Sequence, residues 1–130
     1  MPGETNINIL LKAMTPILKD GEYVFCTLTE PLAIDHRQII GMFKEPEGIT
    51  IILEKKAADE LNLSYSYIAA WITLSVHSSL EAVGLIASFS TALANEGISC
   101  NVVAAYYHDH IFVAREDALK AMRVLEKLSN

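Results

Sequence analysis

The polar turn at residues 77–80 directly follows an apolar, strand-like segment. Ser78 is followed three residues later by Glu81, the spacing of a capping box, which predicts that a helix begins here. The first N–H groups of a helix lack partners within it and carry partial positive charge, so they suit a carboxylate. The hydroxyls of Ser78 and Ser79 would add hydrogen bonds, and Gly84 would allow a close approach to the backbone. In the alternative interpretation, Ser78 only caps the helix and Gly84 only packs.

A second candidate site is the segment Tyr106-Tyr107-His108-Asp109-His110. Two histidines two residues apart point the same way on a strand, and Asp109 could complete a metal-binding set. A complete site needs three or four ligands, so the pattern is a weak metal signal, and a polar hairpin turn is the alternative. Asp109 could instead hold the ammonium group of a ligand through a charge-assisted hydrogen bond. We expect no resident metal and no cofactor.

Two carboxylates, Glu45 and Glu47, flank Pro46 ahead of Gly48. They could perform acid–base chemistry if one raised the pKa of the other, but on an exposed turn we expect solvated charges. The sequence contains no nucleophile elbow, no phosphate-binding Walker loop and no dinucleotide-binding glycine pattern. We therefore expect a binding protein rather than an enzyme.

The composition excludes several further classes of protein. Of the 130 residues, 52% are hydrophobic and 20% are charged, which excludes a disordered chain. The net charge of -6 repels nucleic acid, and no apolar run approaches the roughly 20 residues of a membrane span. Residues 1–8 do not resemble a secretion signal, and Cys26 and Cys100 are predicted to be buried thiols, so we expect a cytoplasmic protein.

The first half of the chain is predicted to be α+β. Helical spacing of apolar residues predicts a helix from residue 7 that stops near Thr15, because Pro16 disfavours helical geometry before it. Residues 19–22 form a predicted polar turn, and residues 45–48 form a tight one. Runs of β-forming residues predict strands at residues 23–28, 38–43 and 49–53, followed by a short helix at residues 55–61.

The second half has clearer patterns. A strand is predicted at residues 69–76, with Trp71 and Thr73 on one face and Ile72 and Leu74 on the other. The helix from Ser78 should continue through Val83 and end at Gly97. A strand at residues 98–107, a turn at residues 108–109, a strand at residues 110–114 and a helix at residues 117–128 complete the prediction.

The element order indicates an internal duplication. The second half is predicted to be β-α-β-β-α, and the first half, after its leading helix, has the same order without the first helix. We therefore divide the chain into a degenerate half with a leading helix at residues 1–66 and a second half at residues 67–130.

Residues 71–128 resemble the ACT domain of aspartokinases. The resemblance rests on the runs ITLSV (72–76), SSLEAVGLIA (78–87), LANEGIS (93–99), NVV (101–103) and HIFV (110–113). With EPEGIT at residues 45–50, the whole chain is similar to small stand-alone bacterial proteins of tandem ACT-like modules, and in outline to the eukaryotic cytosolic arginine sensors. The implied fold is α+β and ferredoxin-like (βαββαβ), with antiparallel sheets in two tandem halves, the first degenerate.

The resemblance also implies a function. ACT domains bind an amino acid between the strand–helix junction and the second strand of a neighbouring module, and here that strand begins near Asn101. An Asn amide both donates and accepts, so Asn101 could pair with the carboxylate and the ammonium of a zwitterion. The implied ligand site comprises Ser78, Ser79, Leu80, Val83, Gly84, Ile98, Ser99, Asn101 and Asp109.

This interpretation implies a regulatory homodimer or higher homo-oligomer with a small-molecule ligand. The alternative is a structural protein that binds no ligand and dimerises through its sheets or through the helix bearing Leu85, Ile86 and Phe89. One feature departs from the family pattern: no final strand follows the last helix. We expect either residues 65–70 or the other half of the chain to supply it.

Overall fold

The computed structural model describes residues 6–30, 34–76 and 83–129. Within these ranges the elements are α1 (Ile7–Ala13), β1 (Thr15–Leu18), β2 (Tyr23–Leu28), β3 (Ile39–Glu45), β4 (Gly48–Glu54), α2 (Lys55–Glu60), β5 (Ile68–Ser75), α3 (Leu85–Asn95), β6 (Asn101–Ala104), β7 (Asp109–Ala114) and α4 (Ala118–Leu128). Short 3-10 helices lie at His36–Gln38 and Arg115–Asp117. The predicted α+β class with antiparallel strand pairing is confirmed.

The contacts of the chain divide it into two compact units. The continuous unit comprises residues 20–69, and the discontinuous unit comprises residues 1–19 together with residues 70–130. This division differs from the sequence division at residue 66, because the segment with α1 and β1 makes its contacts with the C-terminal part of the chain. The boundary between sequence modules at residues 66 and 67 stays a prediction.

The continuous unit has three antiparallel strands in the order β3-β4-β2, and β2 also pairs with Ile68 and Ala69 at the start of β5. β-branched and aromatic residues fill β2 and β4, as strand propensity favours. Between β2 and β3, the described residues 34–38 form only one short 3-10 helix. The core of this unit comprises Val24, Cys26, Leu28, Ile34, Ile51, Leu53 and Ala58.

The discontinuous unit has four strands in the order β1-β5-β7-β6. β1 runs antiparallel to β5, from Thr15 opposite Ser75 to Leu18 opposite Ile72, and β6 and β7 form a hairpin. Helices α1, α3 and α4 pack on one face of these strands, because their apolar stripes must be buried. The buried core of this unit comprises Leu10, Met14, Ala70, Ile72, Leu74, Leu85, Phe89, Leu93, Ile98, Ile111, Val113, Ala121 and Leu125.

Strand β1 occupies the position of the missing final strand. Counted from β5, the unit reads β-α-β-β-α, and β1 lies beside β5, where the last strand of a ferredoxin-like fold belongs. The expectation that the other half supplies this strand is confirmed. The alternative, residues 65–70, is wrong, because Ile68 and Ala69 pair with β2. The sequence analysis missed β1 because it is only four residues long and contains Pro16, which a strand with one free side tolerates.

The helix of the second half begins later than predicted. Its N-cap is Gly84, and Val83 lies outside the helix, so the expectation of a helix running through Val83 is wrong. Gly84 has φ +94°, a left-handed conformation that interrupts a helix and that glycine adopts at little cost. The capping box predicted from Ser78 and Glu81 falls outside the described residues. The predicted helix end is confirmed, since α3 stops at Asn95, two residues before Gly97.

The β6–β7 hairpin also differs from the prediction. β6 covers only Asn101–Ala104, because Ile98 is already buried in the core beneath the end of α3. The turn lies at residues 105–108 rather than 108–109, and the Ala105 N–H donates to the His108 carbonyl at 3.1 Å. Within residues 6–30, 34–76 and 83–129, no helix is both long enough and apolar enough to cross a membrane.

Candidate functional site

The junction between β5 and α3 is only partly described. Ser78, Ser79 and Leu80 lie outside the described residues. Val83 is 85% exposed, and Gly84 caps α3 with its backbone. The Ser88 N–H donates to the Gly84 carbonyl at 2.9 Å and is the first N–H to bond within the helix. The earlier N–H groups of α3 therefore offer the positive end of the helix that suits an anionic group.

Asp109 lies at the same end of the discontinuous unit as this junction. His108 places its Nδ1 3.4 Å from the Val76 carbonyl, which positions the first residue of β7 beside the end of β5. Asp109 is only 7% exposed, and burial raises the pKa of its carboxyl, an effect that the His108 charge partly opposes. A bound cation stabilises the charged form of a poorly solvated carboxylate more than it stabilises that of an exposed one. The arrangement can therefore hold an ammonium group.

The strand residues of the predicted site lie at the opposite end of the unit. Asn101 pairs with Phe112 at one end of the β6–β7 hairpin, whereas Asp109 pairs with Ala104 at the other. The eleven residues of α3, which begins next to Gly84, span about 16 Å. Ser99 is exposed and Ile98 is buried in the core. Within one copy of the chain, Asn101 therefore lies at the end of the unit opposite Asp109.

Asn101 has an intramolecular role as well. Its Nδ2 donates to the Phe112 carbonyl at 3.3 Å, which fixes the orientation of the amide across the hairpin. The carbonyl oxygen of the same side chain remains an acceptor at the surface.

The other candidate groups have simpler surroundings. Among the described residues, no group of three or more His, Cys, Asp or Glu side chains is arranged to hold a metal ion. The rings of His108 and His110 meet edge to face, with centroids 6.4 Å apart. Glu45 accepts a hydrogen bond from the Thr50 hydroxyl, an exposed contact across the β3–β4 hairpin. Cys26 and Cys100 are free thiols.

Two features were missed by the sequence analysis. On the face of β5 and β7 opposite the described helices α1, α3 and α4, which we call the helix-free face, Trp71 donates a hydrogen bond from Nε1 to His110 Nδ1 at 3.1 Å. The alternation of Trp71 and Thr73 along β5 indicated this face, but the pairing partner on β7 depends on the strand order. In the continuous unit, a cleft of about 300 Å³ is lined by Arg37, Gln38, Ile40, Glu54, Lys56, Ala57 and Glu60. None of the predicted ligand residues lines this cleft.

Models of known protein families match this chain along nearly its whole length. A model described as the ACT domain matches residues 2–70, and a second ACT domain model matches residues 66–127. A search of curated protein sequences found no match to this chain.

Solved structures extend the similarity. A Vibrio cholerae protein, described as of unknown function and as a possible transport protein, is 47% identical over 95% of both chains, with a TM-score of 0.85. The regulatory subunit of aspartate kinase from Thermus thermophilus, in its ligand-free form, is 13% identical over 92% of this chain and 100% of its own, with a TM-score of 0.62.

Aspartate kinase from Clostridium acetobutylicum is 12% identical over 88% of this chain, with a TM-score of 0.61, and the match spans 34% of that enzyme. At such low identity, the two aspartate kinase structures show a shared fold. The two family matches, with the strand order described above, show that this chain belongs to the ACT domain family.

Proposed function

We propose that this chain is a regulatory module that binds an amino acid at an interface between two copies. The observation that carries the proposal is Asp109, a carboxylate that is 7% exposed and lies beside the end of β5, where the chain leads into α3. In this proposal, the start of α3 receives the ligand carboxylate, and Asp109 receives the ammonium.

The family and the shared fold support a regulatory role. The Thermus thermophilus protein of the same fold is a regulatory subunit, and the match to the Clostridium enzyme spans only a third of it. Both facts favour a module that senses a ligand over one that performs catalysis. Such a module acts when its ligand prefers one conformation or assembly, which changes the affinity for a partner.

The geometry of the discontinuous unit favours a homodimer. Asp109 and Asn101 lie at opposite ends of the β6–β7 hairpin within one copy, so an amino acid held by Asp109 would meet Asn101 of a second copy. A closed twofold dimer would create two equivalent sites of this kind. We further propose that the protein acts in the cytoplasm. Its net charge of -6 disfavours nucleic acid and anionic membrane surfaces as partners.

Thermal-shift measurements with each standard amino acid test the ligand. At about 100 times Kd, a ligand stabilises the folded state by about 2.7 kcal/mol, which raises Tm by several degrees. We expect Asp109→Asn to remove the shift, because the amide has no charge to offer an ammonium group. Asp117→Asn makes the same change at the start of α4 and should retain the shift. The proposal fails if no amino acid shifts Tm, or if both variants respond like the wild type.

Mixing two inactive variants tests the shared site. In a dimer with Asp109 from one copy and Asn101 from the other, Asp109→Asn and Asn101→Ala each abolish both sites. Co-refolding the two variants should restore about a quarter of the sites, because half of the dimers are mixed and each has one intact site. Calorimetric titration counts them. A dimer in light scattering without any ligand response would support the purely structural alternative instead.

A further inference from the structure

The sheet of the discontinuous unit has a polar cluster on the face opposite its core. The Lys19 N–H donates to the Trp71 carbonyl at 2.9 Å and extends the pairing of β1 with β5 by one residue. Because alternate side chains of a strand share a face, Lys19, Trp71 and Thr73 lie together, opposite the core residues Ile72 and Leu74. The cluster is therefore remote from the helices that bury the other face.

The hydrogen bonds of His110 determine which of its nitrogens is protonated. An indole N–H can only donate, so His110 Nδ1 accepts from Trp71 Nε1 at 3.1 Å, and the Thr73 hydroxyl lies 3.0 Å from the same atom. A neutral His110 consequently carries its proton on Nε2. Among the described residues, Nε2 has no hydrogen-bond partner. It is also not one of the fully buried polar atoms without a partner, so this donor is accessible to solvent.

Lys19 brings a positive charge to the same place. Its ammonium lies 5.5 Å from the centroid of the Trp71 ring, a cation–π distance that limits where the side chain can go. Over residues 6–30, 34–76 and 83–129, no carboxylate forms an ion pair with Lys19. His108 adds a second imidazole, 6.4 Å from that of His110. Among the described residues, the Lys19 ammonium therefore has no ion-pair partner, although the chain as a whole has a net charge of -6.

We propose that Lys19 and His110 form a binding site for a small oxyanion, a carboxylate or phosphate group, on this helix-free face. The Lys19 ammonium and the His110 Nε2–H are the two donors, and charge-assisted hydrogen bonds to an oxyanion are the strong class. Trp71 is a positioning residue, because it holds the imidazole through Nε1 and supports the ammonium on its ring.

Electrostatics agrees with this assignment. Burial lowers the pKa of His110, and the nearby charges of His108 and Lys19 lower it further. An anion bound beside these groups would compensate their mutual repulsion. The site does not depend on the amino-acid site, which lies at the start of α3 and involves neither Lys19 nor Trp71.

Trp71 is the only tryptophan of the chain, so its fluorescence reports directly on this site. We would titrate the full chain with sodium phosphate and, separately, sodium acetate at constant ionic strength, up to about 50 mM, since two partly exposed donors imply millimolar affinity. We expect a saturable change with at least one anion. Saturation with acetate alone identifies a carboxylate site, and saturation with phosphate identifies a phosphate site.

Lys19→Gln should weaken this binding about tenfold, because it removes a charged donor. Lys12→Gln removes the same charge from the exposed side of α1 and should change the affinity less than about twofold, because salt and solvent screen a remote exposed charge. The proposal is overturned if neither anion gives saturation, if Lys19→Gln binds like the wild type, or if Lys12→Gln weakens binding as much as Lys19→Gln. The Nε2 resonance of His110 in nitrogen NMR should also shift on saturation, and an unchanged resonance would exclude its role.

Discussion

Removing residues 1–19 is expected to unfold the discontinuous unit, because this segment contributes both a strand and part of the core. β1 pairs with β5 over four residues, and Leu10 and Met14 of the same segment are 0% and 2% exposed. Burying one such side chain contributes about 1.5–3 kcal/mol. The two together account for about 3–6 kcal/mol, a large part of the about 5–15 kcal/mol that stabilises a typical domain.

Urea unfolding, monitored by Trp71 fluorescence and circular dichroism, measures this loss. Trp71 lies on β5, directly beside the removed strand, so its emission should shift towards that of a solvated indole. Adding a synthetic peptide of residues 1–19 should restore the native emission, because the free edge of β5 and the vacated core space remain complementary to it. Point variants refine the test: Leu10→Ala should cost about 2–5 kcal/mol. The neighbouring Ile9→Ala, at a side chain that is 53% exposed, should cost less than about 0.5 kcal/mol.

The reasoning is refuted if the chain of residues 20–130 unfolds at the same urea concentration as the full chain. It is also refuted if Leu10→Ala and Ile9→Ala destabilise equally, since the argument depends on their different burial. A shortened chain that is unfolded but is not rescued by the peptide would show that covalent connection, rather than complementarity, positions β1.

Three further predictions concern single residues. Gly48→Ala should destabilise the chain by about 2–4 kcal/mol in urea unfolding, because a Cβ there would lie 2.8 Å from the Leu28 carbonyl oxygen, and a wild-type midpoint would contradict this. The folded-state pKa of His110 is lowered, so the unfolded chain takes up the proton first. Stability should therefore fall as the pH drops below the unfolded value of about 6.5. His110→Gln should flatten this fall in melting curves between pH 7 and pH 5, and an unchanged slope would exclude His110 as a source. Burial raises the pKa of Cys100 to about 11, so native alkylation by iodoacetamide at pH 8 should be about a hundredfold slower than that of a free thiol; equal rates would show that the thiol is not buried.

Local patterns predicted most of the elements correctly. The β-forming runs at residues 23–28 and 49–53 lie within β2 and β4, and the apolar spacing at residues 117–128 corresponds to α4. Boundaries were wrong where a residue with special geometry intervened. Gly84 starts α3 seven residues after the polar turn begins, and Tyr106 and Tyr107 form a turn although their type favours strands. Residue type expresses an average preference, which a particular backbone conformation can override.

The sequence predicted candidate residues for the site but not how those residues are arranged in space. The sequence predicted Asp109 and Asn101 as ligand residues, but it did not indicate that they lie at opposite ends of one hairpin. The separation of Asp109 from Asn101 follows from the antiparallel pairing of β6 with β7. It leads to the proposal of a site shared between copies. The sequence analysis did not find the cluster of Trp71, Lys19 and His110. These residues lie far apart in the sequence, on three different strands or strand ends.

By itself, the sequence determined the α+β class, the family resemblance and the order of the elements in the second half, since these depend on the periodicity of apolar residues and on side chains a few residues apart. Only the tertiary structure decided which segment completes the sheet beside β5 and which side chains meet on its helix-free face. An open strand edge can be paired by any segment that also buries its apolar side chains. Residues 15–18 take that position because Leu10 and Met14 next to them are buried in the same core.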